Sequence, residues 1–157
     1  MDTMWSAIGD GEVDLVASDH HGCPEGSRDG DDFLAMPGGI AGCQHGYPSL
    51  MGEANLRAFG MQRVSDLAST NAAARLGIGH RKGRIEVGMD ADLVLLSFSA
   101  EGEEIPAGGL AYAHPESPYV GYPTSCRVET TFCRGIEVGG EAVAGAAFTP
   151  EFIRPER

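Results

Sequence analysis

The stretch EVDLVASDHHGC, from Glu12 to Cys23, gathers Asp19, His20, His21 and Cys23 into a few consecutive positions. An apolar run stops abruptly at this cluster, as a buried strand does when it ends in a site, so Asp19 is the first functional candidate. The plainer reading of the same residues is a strand end capped by a solvated Asx or His turn. A mononuclear zinc site would use His20, His21 or Cys23 together with Cys43 and His45. Closed zinc sites show two tight ligand pairs at regular spacing, and adjacent histidines with a C-x-H pair do not supply them. His20 better suits a role in orienting the following loop, and His45 that of an ordinary polar loop residue.

The elements that must position these groups can be read in chain order. Met4, Trp5 and Ile8 have helical spacing over residues 3–9, and Gly9 and Gly11 end that helix. Val13, Leu15, Val16 and Ala17 form an apolar run of the kind found in buried parallel strands, whose carboxyl ends carry the reactive groups of α/β barrels. Residues 21–48 hold seven glycines, three prolines and the acidic run DGDD without sustained period, which suits an active-site loop. Helices are expected over 49–59 and 62–69, separated by Gly60, and over Ala72–Leu76, with Asn71 as N-cap and Gly77 in the left-handed position after it.

From Gly83 the period becomes extended. Arg84–Val87 and Asp92–Phe98 predict a hairpin turning at 88–91, with Asp90 and Asp92 accepting bonds from the turn's own backbone rather than acting in catalysis. Residues 99–124 read as an acidic, Gly- and Pro-punctuated excursion. A second hairpin follows, 126–133 with 136–138 over Arg134-Gly135, and the tail 149–157 reads as lying on the surface or fraying.

The 157 residues carry 11 basic and 23 acidic side chains, a formal charge of -12 that repels phosphate backbones and argues against nucleic-acid partners. Nothing in the sequence approaches the roughly 18 apolar residues of a membrane span, and a soluble, cytoplasmic protein is expected. The four cysteines, at 23, 43, 126 and 133, form no CxxC pair and suit reduced thiols.

Taken together, VDLVASDH (13–20), PGGIAGCQ (37–44), STNAAARLGI (69–78), KGRIEVGMDADLVLL (82–96), SPYVG (117–121) and RVETTFCRGIEV (127–138) resemble, in order, the C-terminal part of a cyclic amidohydrolase, and among these most an allantoinase. The resemblance implies an α/β fold: the last βα unit of a TIM (β/α)8 barrel over residues 1–81, with its active-site loop at 21–48, followed by part of a small β-sandwich over 82–157. A whole barrel needs about 250 residues, so a truncated portion of a larger enzyme is expected. The implied activity is hydrolytic ring opening of a small cyclic amide such as allantoin, by a homo-oligomer, a tetramer by the same resemblance.

In that family two zinc ions are held by an H-x-H pair, a carboxylated lysine, two further histidines and the aspartate of the last strand, which also takes the proton of the attacking hydroxide. By motif that aspartate is Asp19. The five histidines, at 20, 21, 45, 80 and 114, contain no i, i+2 pair, and the single lysine, Lys82, belongs to the KGRI motif. The binuclear zinc site therefore cannot be completed from this chain. Gly38 and Gly39 match a loop whose backbone faces the substrate ring, and His21 stands where allantoinases have Ser-Pro-Cys after SDH, which puts it on the substrate side. Gln44 and the TNAA run at 70–73 favour allantoinase over dihydroorotase or dihydropyrimidinase specificity. A non-catalytic interaction module and an independent zinc-binding domain are the competing readings.

Overall fold

The computed structural model describes residues 2–114, 116–138 and 150–156. The chain divides into two compact units, one made of Met1–Ala17, Gly60–Ser97 and Val128–Arg157, the other of Ser18–Phe59 and Phe98–Arg127. Each unit draws on segments from both sides of residue 82. No described helix is long and apolar enough to cross a membrane.

The first unit opens with helix α1 (Asp2–Asp10), ended by Gly11 at φ 80° as its glycines predict. Residues 61–75 then form one helical run, α3 (Met61–Ser65), a π turn (Asp66–Thr70) and α4 (Asn71–Arg75), of which Val64, Leu67 and Ala73 are buried together with Ile8 of α1. The two helices expected over 62–69 and 72–76 are thus continuous, and Asn71 is not a cap. Its Nδ2 donates to the Asp14 carbonyl at 2.7 Å, while Arg63 reaches the carbonyls of Ile8 (3.3 Å) and Val13 (3.1 Å). Both side chains hold the segment after α1 in place.

That segment is not the buried strand its apolar run predicts. Residues 13–17 have no regular secondary structure and are half-buried to exposed, and Val16 N–H goes to the Leu67 carbonyl at 3.1 Å instead of to a neighbouring strand. A buried parallel strand needs a neighbouring strand to pair with and helices over both sheet faces, and among the described residues this segment pairs with no strand.

The sheet has the order β1 (Leu93–Glu104), β2 (Pro123–Cys133), β3 (Ile136–Val138). β2 and β3 are antiparallel with Cys133 opposite Ile136, and the left-handed Arg134 (φ 50°) and Gly135 (φ 78°) make the two-residue turn expected of this hairpin. The other expected hairpin is corrected. Its second arm is β1, longer than predicted and running well into the expected excursion, but Arg84–Val87 form no strand: Ile85 and Val87 are 89% and 103% exposed. The turn is present, with Gly88 at φ 96°.

An ionic cluster fixes this segment. Lys82 Nζ contacts Asp90 at 2.8 Å and also Asp92, Arg81 bridges Asp90 (3.0 Å) and Glu151 (2.7 Å), and Asp92 Oδ1 accepts the Arg134 backbone N–H at 2.8 Å. Asp90 and Asp92 are structural, as expected, although their partners are cationic side chains and the next hairpin's turn rather than their own turn. The tail 150–156 does not fray: Glu156 N–H donates to the Gly77 carbonyl at 2.8 Å, and Gly77 sits at the left-handed φ of 70° expected of it.

In the second unit helix α2 (Gly46–Leu56) lies closer to the N-terminus than the predicted 49–59 and buries Met51 and Ala54. Gly52 lets the chain at Thr124–Cys126 approach, since a Cβ there would stand 3.0–3.3 Å from those residues, and Ser125 Oγ donates to the Gly52 carbonyl at 3.1 Å. Ile105 and Cys126 complete this core.

Two expectations follow for the first unit. Gly83 has φ 98°, and a Cβ would meet the Ala73 Cβ at 2.6 Å and the Ser69 carbonyl oxygen at 2.9 Å, so Gly83→Ala should cost about 2–4 kcal/mol in chemical denaturation. The Asp90 and Glu151 carboxyls are held below their ordinary 3.8 and 4.5, chiefly by the hydrogen bonds from Lys82 and Arg81 respectively. Groups depressed on folding contribute stability above the unfolded pKa and lose it as pH falls through the folded one, so the melting temperature should decline below about pH 4.5. Burial pulls the Lys82 ammonium down, but its hydrogen bonds to Asp90 and Asp92 leave it raised above 10.5, so the opposite flank should fall only as pH rises past that value. A melting temperature unchanged from pH 6 to pH 2.5 would contradict the acid limb.

Candidate functional site

The second unit carries the chemistry-bearing stretch. His20 and Ile40 form an isolated parallel bridge, and His21 N–H donates to the Ile40 carbonyl at 2.9 Å. His20 Nδ1 accepts from the backbone N–H groups of Gly42 (3.2 Å) and Cys43 (3.4 Å), which puts the proton of the neutral ring on Nε2. Its ring packs against Tyr112 at a tilt of 42°, with centroids 5.0 Å apart. The orienting role expected of His20 is its geometry here: one side chain ties residues 20, 42 and 43 and the aromatic of a distant loop.

Asp19 precedes this anchor with φ 42°, in the left-handed region that aspartate enters more readily than most non-glycine residues, and it is exposed. Among the described residues no hydrogen bond reaches its carboxylate, so the Asx-turn reading has no support here. Gly39 (φ 85°) is a contact position, because a Cβ would stand 2.6 Å from the Cβ of His21, whereas Gly38 has nothing within 4 Å. The two glycines that the loop motif treats alike differ physically.

His21 continues into a cleft of about 400 Å³ shared with Cys23, Arg28, Ala41, Glu116 and Ser117. Cys23 Sγ lies 3.4 Å from His21 Nδ1 and accepts from Arg28 Nη2 at 3.1 Å, and Arg28 also donates to the Gly39 carbonyl. Ser117, in the SPYVG segment, closes this side by donating to the Ala41 carbonyl at 2.8 Å. Sequence reading missed Arg28, which lies among Glu25, Asp29, Asp31 and Asp32 in an acidic run without periodicity. Its one available signal was being the lone cation of that loop.

Gln44 does more than mark a subfamily. Its backbone N–H goes to the Tyr112 hydroxyl (2.8 Å), its Nε2 to the Gly109 carbonyl (3.1 Å), and its Oε1 takes the Ala111 N–H (2.9 Å). His45 is not an ordinary polar loop residue. It is half-buried between Tyr112 and Tyr119, both ring centroids 6.4 Å away, its Nδ1 is buried without a partner, and burial lowers its pKa.

Among the described residues no three His, Cys, Asp or Glu side chains converge as a metal ion would require. Cys43 is exposed with Sγ 3.6 Å from Ser18 Oγ, so the His20/His21/Cys23/Cys43/His45 zinc arrangement is not formed. All four cysteines are free.

Residues 16–138 match the amidohydrolase family, and the chain belongs to it. Among curated relatives it is 40% identical over 160 residues to an allantoinase of Rubrobacter xylanophilus, covering 100% of this chain and 34% of that protein, and 36% identical to an allantoinase of Solibacter usitatus, covering 99% and 34%. Among solved structures it is similar to a D-hydantoinase (TM-score 0.81, 29% identity, 90% of this chain and 31% of that one). A second is the L-hydantoinase (dihydropyrimidinase) from Arthrobacter aurescens, with TM-score 0.79, 26% identity and coverage of 86% and 30%. The chain thus spans about a third of the length of the relatives it matches.

The contrast between the two glycines is testable. Gly39→Ala should cost about 2–4 kcal/mol, from the left-handed backbone and the overlap with His21, and should shift the His21 and Ile40 amide resonances. Gly38→Ala should stay within about 0.5 kcal/mol of the parent.

Proposed function

We propose that this chain is the C-terminal portion of an allantoinase-like cyclic amidohydrolase, contributing the last barrel unit and part of the accessory β-sandwich to an enzyme that opens a cyclic amide ring such as allantoin. The observation that carries this reading is the exposed Asp19 carboxylate, free of hydrogen bonds among the described residues and held at a left-handed backbone position immediately before the His20 anchor. A carboxylate kept out of its own turn is available to another group. The two allantoinases above are 36% and 40% identical to this chain over nearly its whole length, against 29% and 26% for the two hydantoinases, which favours the allantoinase reading over hydantoinase or dihydropyrimidinase specificity.

The resemblance would make Asp19 one zinc ligand and the proton acceptor of a two-zinc centre, whose metals would supply a nucleophilic hydroxide and polarise the carbonyl. The residues present do not fit a complete centre. Asp19 provides one donor, no two other His, Cys, Asp or Glu side chains join it among the described residues, and the sequence has no H-x-H. What this chain can supply is the carboxylate as proton acceptor, the loop 37–44 pinned beside it by His20, and the cleft lined by His21. The remaining ligands would come from segments outside this sequence. A small cyclic amide is the substrate class, and a homo-oligomer the assembly, that the family resemblance implies.

A chimera tests the reading. Residues 1–157 replacing the corresponding third of the Rubrobacter xylanophilus allantoinase should restore ring opening of allantoin. Asp19→Asn in that chimera should lower kcat by about 10²–10⁴-fold or more while leaving the melting temperature of the metal-free protein nearly unchanged. Near-normal turnover of the Asn variant, or its unfolding, would assign Asp19 to structure. A folded chimera that turns over neither allantoin nor hydantoin would favour the interaction-module reading.

A further inference from the structure

We infer, on the ring-opening reading above, that Arg28 and Glu116 are specificity residues, and that the cleft they line takes a neutral ureido arm, NH–CO–NH2, carried by the substrate ring. The cleft holds about 400 Å³, and the residues lining it all belong to the second unit. Arg28 is fixed through Nη2, which donates to the Gly39 carbonyl and, at 3.1 Å, to Cys23 Sγ. Its Nε is buried without a partner, and Nη1 makes no hydrogen bond among the described residues, so the guanidinium keeps uncommitted donors. Glu116 lines the same cleft, positioned by its backbone N–H on the His114 carbonyl at 2.8 Å and by the neighbouring Ser117 Oγ on the Ala41 carbonyl at 2.8 Å. Its carboxylate accepts no hydrogen bond among the described residues, and the two opposite charges form no ion pair with each other.

A donor and an acceptor held apart on one cleft wall select a ligand that carries both. The ureido carbonyl can only accept and matches the guanidinium, while its N–H groups can only donate and match the carboxylate. A carboxylate arm would gain Arg28 but be repelled by Glu116, and an ammonium arm the reverse, so a neutral arm with both functions is favoured. Ala41, Pro118 and Val120 supply apolar wall beside these groups, where each charged hydrogen bond is stronger than in water. The cleft also lies within reach of the reacting end. His21 lines it, and two residues of chain span at most about 7 Å, so a ring standing at Asp19 can place its arm there. The Gly39 carbonyl that Arg28 holds belongs to the loop 37–44 pinned by His20.

The test compares two probes, allantoin and hydantoin, which share the ring and differ in the ureido arm. Each is titrated into the full 157-residue chain while the backbone amide resonances of Cys23, Ala41 and Ser117 are followed by NMR. Hydrogen bonds to charged groups should make the Kd for allantoin about tenfold lower than that for hydantoin. Arg28→Met and Glu116→Ala should each cut that ratio to about threefold or less, by weakening allantoin and leaving hydantoin unchanged. Arg28 also anchors the loop, so Glu116→Ala, at an exposed position without a side-chain hydrogen bond among the described residues, decides the matter where Arg28→Met loses the fold. Equal affinities in the parent, a folded Glu116→Ala chain that keeps the full ratio, or no shift with either compound overturns the inference, because this chain alone builds the cleft. Ring opening by the chimera is measured separately. An active chimera beside a parent chain without preference sinks the specificity assignment alone, whereas a preference beside a folded, inactive chimera sinks the ring-opening reading.

Discussion

The pairing of His20 with the chain at Ile40–Cys43 is the constraint on which the second unit depends. One parallel bridge and two backbone N–H groups converging on a single imidazole nitrogen fix where a glycine-rich loop with little regular structure runs. A loop of that composition pays a large conformational entropy to be ordered. Here the cost is offset at a few well-connected points: His20 at one end, Gln44 with three bonds to residues 109–112 at the other, and Ser117 on the Ala41 carbonyl between them. Asp19 and His21, on either side of His20, inherit their positions from that anchor.

The first unit uses a different device. With few buried apolar side chains, its irregular segments are held by long polar side chains reaching backbone carbonyls, Arg63 to Ile8 and Val13 and Asn71 to Asp14, and by the cluster of Arg81, Lys82, Asp90, Asp92 and Glu151. Lys82 is the single lysine of the chain and is committed to that cluster, so it is accounted for without any role in catalysis.

Much of β1 remains uncovered, with Leu93, Val94, Leu95 and Phe98 between 37% and 59% exposed, and Ile85 and Val87 more so. Exposed apolar side chains in such a row are costly in water. In a chain spanning about a third of its relatives' length, they are positions where sequence pattern announces burial that the described residues do not provide.

What the sequence determined alone is whatever depends on near neighbours. Helix α1 with its terminal glycine, the Arg134-Gly135 turn and the left-handed Gly77 follow from spacing and local backbone chemistry, and the collinear motifs were enough for the family. What needed the tertiary structure is every feature set by a partner far along the chain. The 13–17 run reads as a buried strand because periodicity reports apolarity, not whether a neighbouring strand exists to pair with it. Asn71 reads as a cap because that is the local use of its amide, yet its partner is the Asp14 carbonyl. Arg28 looks like a solvated charge in an acidic loop until folding sets its guanidinium on Cys23 and Gly39. Hydrogen bonding to distant groups leaves no period in a sequence, and in this chain such bonds build the candidate site.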